Sequence, residues 1–145
     1  MATINASISI SSDIMSYPTR INKTMTMKKL GSCHGLEETT GLRTKKFGTV
    51  TTAAVIVEHD ELTDDKAHQV YIRNTSTNKA NFFYVAYNAS AAAATTTEVI
   101  GKLYGGDWTL FSYNGNTNIT VASDGGIEQT LEYMVFADGI VTAAG

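Results

Sequence analysis

The sequence predicts an all-β protein: an antiparallel β-sandwich, jelly-roll or immunoglobulin-like, of about seven to nine short strands with an extended N-terminal arm. Three observations lead to this prediction. Apolar and polar residues alternate over short stretches with the period of two that a half-buried strand requires. Turns rich in Gly and Asn separate these stretches. Threonine, which favours strands, occurs 21 times among 145 residues.

The clearest alternation comes first, over residues 3–11, where four apolar residues including Ile4 and Ile8 alternate with Asn5, Ser7 and Ser9. A weaker alternation over 24–30 predicts a second strand. Further strands are predicted over 49–57, 68–74, 81–87, 97–104, 108–113, 118–123 and 129–136. The alanine-rich stretch 89–94 is expected to be a loop, because its Asn and Thr neighbours are poor helix formers.

The turns predict how the later strands pair. Asn114-Gly115 is a strong hairpin signal because both residues tolerate a positive φ. Gly105-Gly106-Asp107 and Asp124-Gly125-Gly126 separate strands in a similar way. Residues 97–136 are therefore expected to form a four-stranded meander of hairpins.

Charge divides the chain unevenly. Residues 1–50 hold seven Lys or Arg against three acids, net +4, and residues 51–145 hold four against eleven, net −7, which together give −3. We expect residues 1–47 to form a basic arm with the first strands, and 48–145 to form the sandwich. The partner-binding residues predicted in the basic part, opposite an acidic surface, are Lys28, Lys29, Arg43, Lys45 and Lys46.

Composition and motifs exclude several functions. Cys33 is the single cysteine, which rules out an internal disulfide and fits synthesis in a reducing cytoplasm. The sequence has no signal-peptide pattern and no long apolar run, and charged residues make up 17%, so neither a membrane nor nucleic acid is an expected partner. Adjacent Cys33 and His34 make a poor catalytic pair, since neighbours in a strand point to opposite faces.

Metal and cofactor patterns are also missing. The three histidines lack zinc-ligand spacing, and the acidic run at 58–65 lacks the glycine and terminal glutamate of a calcium loop. We expect no catalytic site, metal or cofactor, and no enzymatic activity. Aromatic residues over 82–87 and 108–113 could form a sugar-binding face, or alternate members could fill the core while the others face water.

The last two-thirds of the chain carry a family resemblance. Four segments carry it: VYIRNTS at 70–76, EVIGKLYGGDWTLFSYNG at 98–115, NITVAS at 118–123 and TLEYMVF at 130–136. Over residues 68–137 the chain resembles the small β-sandwich accessory proteins of tailed bacteriophage virions, especially those of marine and cyanobacterial phages.

The resemblance implies a virion component without enzymatic activity. The first function that it implies is that of a capsid decoration (cement) protein on the head surface, bound to the major capsid protein. Such a protein is expected to be a homo-oligomer, with a trimer favoured. A neck, tail or fibre subunit is the structural alternative. A carbohydrate-binding module for host attachment is the third.

Overall fold

A computed structural model of the protein describes residues 3–14, 16–17, 19–32, 34–48, 53–87, 99–123 and 127–141. These ranges contain eleven β-strands and one 3-10 turn, His59–Glu61, and no α-helix. The strands are β1 (Ile4–Ser12), β2 (Thr19–Met27), β3 (Glu38–Thr39), β4 (Arg43–Phe47), β5 (Ala53–Val57), β6 (His68–Asn74), β7 (Phe82–Tyr87), β8 (Val99–Tyr104), β9 (Trp108–Tyr113), β10 (Ile119–Ser123) and β11 (Gln129–Ala137).

Strands β3 to β11 form two packed sheets. The five-stranded sheet has the order β3-β11-β6-β9, and β4 pairs with β11 beside β3; the four-stranded sheet has the order β5-β10-β7-β8. All of these pairs are antiparallel. From β4 onwards the chain alternates between the sheets except at β7–β8, which is the path of an eight-stranded jelly roll. The predicted sandwich is confirmed, and its strand order is that of the jelly roll.

The core lies between the two sheets. Alternate residues of each strand point inward, such as Val70 and Ile72 in β6 and Phe83 and Val85 in β7, and they are buried. Phe47 from the edge strand β4 meets Phe83 edge-on, with ring centroids 5.0 Å apart. Each such side chain contributes about 1.5–3 kcal/mol by leaving water. The inward alternation is therefore what holds the two sheets together.

The predicted meander over residues 97–136 is wrong. β8 pairs with β7, β9 with β6, β10 with β5 and β7, and β11 with β3, β4 and β6. The turns at Asn114-Gly115 and Gly105-Gly106-Asp107 connect strands of opposite sheets instead of closing hairpins. Positive φ at Gly106 (89°) and Gly115 (84°) reverses the chain, but the sheet that receives the next strand is chosen by where its apolar side can be buried. The predicted turn at 124–126 and the predicted loop at 89–94 lie outside the described residues.

The basic N-terminal part divides into two structures. Within the described residues β1 and β2 pair with each other in a separate two-stranded sheet, whereas β3 and β4 pair with β11 and belong to the sandwich. The hairpin of β1 and β2, residues 4–27, is named the arm below. The arm therefore ends at residue 27, because the later strands β3 and β4 pair with β11 in the five-stranded sheet.

The buried amide of Asn74 joins the two sheets at one end of the sandwich. Its Nδ2 donates to the carbonyl of Leu103 at 3.0 Å, and lies 3.4 Å from both the carbonyl of Asn81 and Oε1 of Gln129. Its Oδ1 accepts the backbone N–H of Ser76 at 3.0 Å. Leu103 belongs to the four-stranded sheet and Gln129 to the five-stranded sheet, so one side chain ties both layers and the loop between them.

We predict that Asn74→Ala lowers the free energy of unfolding by about 2–4 kcal/mol, because it leaves buried carbonyls without a donor and opens a small cavity. Urea unfolding followed by circular dichroism measures this. Asn22→Ala, at an exposed position of the arm, is the matched control and should change stability by less than about 0.5 kcal/mol. Equal effects of the two substitutions would contradict the assigned role of Asn74.

Candidate functional site

The arm is an amphipathic β-ribbon. Its strands are in register from the Ile4–Met27 pair at the base to the Ser12–Thr19 pair at the tip, and directly opposed residues point to the same face. The apolar face carries Ile4, Ala6, Ile8, Ile10, Ile21, Lys23, Met25 and Met27. The polar face carries Asn5, Ser7, Ser9, Ser11, Arg20, Asn22, Thr24 and Thr26.

The base of the arm is fixed to the sandwich. Met27 is buried, and its carbonyl accepts the backbone N–H of the fully buried Leu36 at 2.9 Å. Gly35 forms a bridge with Lys28, and a Cβ on this glycine would lie 2.8 Å from the backbone nitrogen of Ile4. An isolated two-stranded hairpin is marginally stable in water. Close packing at Gly35 is thus what lets the arm keep one orientation.

A groove of about 730 Å³ lies between the arm and the outer face of the five-stranded sheet. The arm contributes residues of its basal half, namely Ile4 to Ile8, Lys23 to Met25, and Met27. The sheet contributes an apolar wall made of Tyr71, Trp108, Leu110, Met134 and Phe136. Most of the lining on both sides is therefore apolar. The polar residues that line the groove are Asn5, Ser7, Thr24 and Thr109, and Lys23 is the charged one.

The sheet wall of the groove departs from the usual pattern of an antiparallel sheet, whose outer face is commonly polar. Met134, Tyr71 and Leu110 are opposed across three neighbouring strands and form one apolar row. Trp108 lies nearby and is 52% exposed. Sequence reasoning did not identify this wall. The signal was that β9 and β11 have apolar residues on both sides of the alternation, as strands covered on two faces do.

A polar contact borders this wall. The hydroxyl of Tyr71 donates to Oε1 of Glu132 at 2.8 Å. Burial, this hydrogen bond and the negative charge of Glu132 raise the pKa of Tyr71 above its ordinary value, while Arg73 opposes the shift. The hydrogen bond to Glu132 holds the Tyr71 side chain in place beside the apolar row.

The five predicted partner-binding residues do not form one cluster. Lys28 and Lys29 follow the arm, whereas Arg43, Lys45 and Lys46 lie on the edge strand β4. Three of them already have partners: Lys29 pairs with Glu37 at 3.3 Å, Arg43 with Glu61 at 3.1 Å, and Lys46 with Glu128 at 3.1 Å. Lys28 and Lys45 are exposed and have no ion pair among the described residues.

The basic residues of β4 also have a structural explanation. β4 lies at an edge of its sheet, and lysines on an edge strand hinder pairing with strands of other molecules. Surface ion pairs such as those of Arg43 and Lys46 contribute at most about 1 kcal/mol. Partner binding by the five residues stays a prediction. Lys28 and Lys45 are the best candidates among them, because their charges have no ion pair among the described residues.

His68 organises the end of the sandwich that lies next to the base of the arm. Its ring is buried, and Nδ1 accepts the backbone N–H of Asp138 at 3.0 Å. The ring proton therefore sits on Nε2, which donates to the carbonyl of Thr63 at 2.8 Å. The N–H of Thr63 donates in turn to the carbonyl of Gly139 at 3.0 Å. Loops 58–67 and 138–141 are thereby held together.

Carboxylates are concentrated around these joined loops. This region, named the acidic end below, carries Glu38, Glu58, Asp60, Glu61, Asp64, Asp65 and Asp138. Its acidic run forms the 3-10 turn and the loop after it. Within the described residues no group of three or more His, Cys, Asp or Glu is placed to hold a metal ion. Cys33 lies outside the described residues.

The aromatic residues are split between core and surface. Phe83 and Tyr113 are buried in the core. Phe82, Tyr84 and Tyr104 pack together on the outer face of the four-stranded sheet. Nζ of Lys102 lies 4.6 Å from the centre of the Phe82 ring. The alternative in which alternate aromatics fill the core fits this arrangement.

A hollow of about 600 Å³ lies at the acidic end. Lys66, Gln69, Asn114 and Asn116 line it together with Tyr87. The Tyr87 ring stacks on Tyr113 with centroids 6.2 Å apart, and its hydroxyl donates to the carbonyl of Ser112 at 3.2 Å. An aromatic ring beside amide groups is a composition that sugar sites share, although the stacked Tyr87 keeps its hydroxyl occupied within the chain.

Comparison with known proteins gives few matches. No family model and no curated protein matches the chain. Among solved structures, the chain is similar to one described as "Bacillus endospore appendages form a novel family of disulfide-linked pili", with a TM-score of 0.43 and 14% identity, over 73% of this chain and 96% of that one. A likeness at this level carries no argument about function. The described residues include no helix of the length and apolar character that spanning a membrane takes.

We predict that Tyr113 makes stability fall at high pH. Burial, and then the nearby Tyr87, raise the pKa of Tyr113 to about 12, whereas a tyrosine of the unfolded chain ionises near pH 10. The unfolded state therefore loses its proton first, and the free energy of unfolding should decrease as the pH rises from about 10 to about 12. Urea unfolding across this range should show a shallower decrease for Tyr113→Phe, while the exposed Tyr17→Phe should retain the wild-type slope.

Proposed function

We propose that the chain is a non-enzymatic structural subunit, a decoration protein that binds the major capsid protein on the head of a tailed bacteriophage. One observation carries the proposal: a rigidly based amphipathic arm stands over an apolar sheet face and leaves a groove between them. Contiguous apolar surface of this kind marks a protein-binding site. The four segments that resemble phage accessory proteins supply the virion context.

The groove suits an extended segment of a shell subunit. β9 is an edge strand of its sheet, and Trp108 and Leu110 of β9 line the groove. An edge strand offers unpaired backbone N–H and C=O groups to an added strand. A segment of the capsid protein that pairs with β9 would place its apolar side chains between the arm and the sheet, while Lys28 and Lys45 would meet acidic groups of the shell.

Two alternatives differ from this proposal in their partners. A neck, tail or fibre subunit would use the same groove at a position of lower copy number. A carbohydrate-binding module for host attachment would use the hollow beside Tyr87 and not the groove. The groove favours a protein partner, because most of its lining is apolar, whereas a sugar requires many hydrogen-bonding groups.

Quantitative mass spectrometry of purified particles tests the proposal. We expect the chain to be present at hundreds of copies per particle, in a fixed ratio to the major shell protein. Six or twelve copies would place it at the neck or tail. Absence from the particles, or a glycan array with a clear hit for the free protein, would reject the decoration role.

We predict that Trp108→Ala weakens binding to particles that lack the protein at least tenfold, because a large aromatic residue in an interface is a common hot spot. Co-sedimentation over a range of protein concentrations measures the apparent Kd. Tyr104→Ala is the matched control: Tyr104 is an exposed aromatic residue at 40%, but it lies on the other sheet. Normal binding by Trp108→Ala would mean that the groove is not the adhesive surface.

A further inference from the structure

The open edge of β9 exposes a defined set of backbone groups. In an antiparallel pair, alternate residues direct their N–H and C=O groups toward the partner strand and away from it. The N–H of Asn74 donates to the carbonyl of Asp107 at 3.0 Å, so Asp107 faces β6. Trp108, the next residue, therefore directs its N–H and C=O groups to the open edge, and Leu110 and Ser112 do the same.

The usable part of this edge is short. The hydroxyl of Tyr87 donates to the carbonyl of Ser112 at 3.2 Å and so occupies the edge there. At the other end β9 begins at Trp108, directly after the turn at 105–107. Trp108 and Leu110 remain, and their outward N–H and C=O groups have no backbone partner within the described ranges. The edge can therefore pair with about three residues of an added strand.

The same two residues put their side chains into the groove. Trp108 and Leu110 lie two positions apart in β9, and both line the groove. Directly opposed residues of neighbouring strands point to the same face of a sheet. An added strand would therefore direct two side chains, two residues apart, into the groove, whose other side carries the exposed Ile8 and Met25 of the arm. Apolar side chains at these two positions match their surroundings.

The groove also has a charge that needs a partner. Lys23 lines it from the apolar face of the arm, is exposed, and forms no ion pair in the part of the chain that the structure describes. The other charged residues of the arm, Asp13 and Arg20, do not line the groove. On the sheet, Arg73 and Glu132 border the apolar wall, but they are directly opposed across β6 and β11, so their charges offset each other. The net charge at the groove is therefore that of Lys23, which attracts a carboxylate.

We infer that the groove recognises an acidic strand. By this we mean a short extended segment that pairs with Trp108 and Leu110, puts two alternate apolar side chains into the groove, and carries a carboxylate on the same side for Lys23. The inference rests on the proposed function and names the kind of shell segment that the groove binds. Backbone pairing gives affinity for any extended segment, whereas the apolar pair and the carboxylate give specificity. A neutral or basic segment of the same shape is a poor ligand.

Selection from a display library of random seven-residue peptides tests this recognition directly. The full chain is immobilised, and peptides that also bind the Trp108→Ala variant are removed. We expect the enriched peptides to share two apolar residues at alternate positions, with an Asp or Glu two residues before or after them. No enrichment that depends on Trp108, or a shared pattern without the acidic residue, would overturn the inference.

The single tryptophan of the chain gives a readout in solution. Trp108 is 52% exposed, so its fluorescence should shift to shorter wavelength when an enriched peptide without tryptophan covers it. Lys23→Glu should raise the Kd of the peptide about tenfold or more, and Lys23→Arg should keep it within about twofold. Arg20→Glu makes the same change of charge on the polar face of the same arm and should bind as the wild type does. Equal losses for Lys23→Glu and Arg20→Glu would contradict a carboxylate site at Lys23.

Methylation of the peptide backbone tests the pairing with β9 without changing the protein. A methyl group on successive peptide nitrogens should weaken binding at alternate positions only, because alternate N–H groups of an added strand face β9. Equal effects at every position would overturn strand addition.

Proline in β9 tests the same pairing from the protein side. Leu110→Pro removes an outward N–H, a change that an edge strand tolerates. Leu110→Ala keeps this N–H but shortens the side chain, and Ser112→Pro makes the backbone change beyond the groove. We expect Leu110→Pro to bind the peptide more weakly than either control, with the circular dichroism spectrum of the wild type. Equal binding by Leu110→Pro and Leu110→Ala would count against pairing at this edge.

Purified particles separate this inference from the proposed function. An excess of enriched peptide should displace the chain from particles, and Lys23→Glu should bind particles more weakly than the wild type. Peptide binding by a chain that does not bind particles would reject the decoration role and leave the acidic-strand specificity standing. Particle binding that neither Lys23→Glu nor Leu110→Pro weakens would overturn the inference and leave the decoration role standing.

Discussion

The fold depends on a single constraint: the two sheets must stay in register with each other although the chain crosses between them at almost every turn. Apolar packing pulls the layers together but has no direction. The amide of Asn74 supplies the direction at one end, since it bonds groups from both layers within the core. His68 does the same for the loops at the other end. Between these two buried polar anchors, the apolar rows have one way to interdigitate.

Specific backbone contacts also position the arm. Its base is held by a backbone approach at Gly35 that leaves no room for a side chain, and its free length carries the surface chemistry. The sandwich thus provides a rigid platform, with the apolar wall on one face and the acidic end at one end of its strands. The arm stands next to this wall.

Most strand positions could be predicted from the sequence, because alternation in stretches such as ISIS or HQVYIRN is a local property. The strands β3 and β4 were not predicted, and β2 begins at Thr19, five residues before its predicted start. Strand partners could not: the Asn114-Gly115 turn has the same local chemistry whether the next strand joins its own sheet or the other one. The basic residues on β4 were visible as a charge excess, but their pairing with Glu61 and Glu128 comes from segments distant in sequence. The groove was missed because Leu110 and Met134 resemble core residues until the strand order shows that they face outward.

The register of the arm has a consequence for how its length can change. Successive residues of a strand point to opposite faces, so removing one residue from β1 would turn its isoleucines to the side that now carries serine and asparagine. Only steps of two residues in each strand would preserve the two faces. Each such step would move the tip by about 7 Å. The reach of the arm from the sandwich can therefore change only in discrete increments if both of its faces are to be kept.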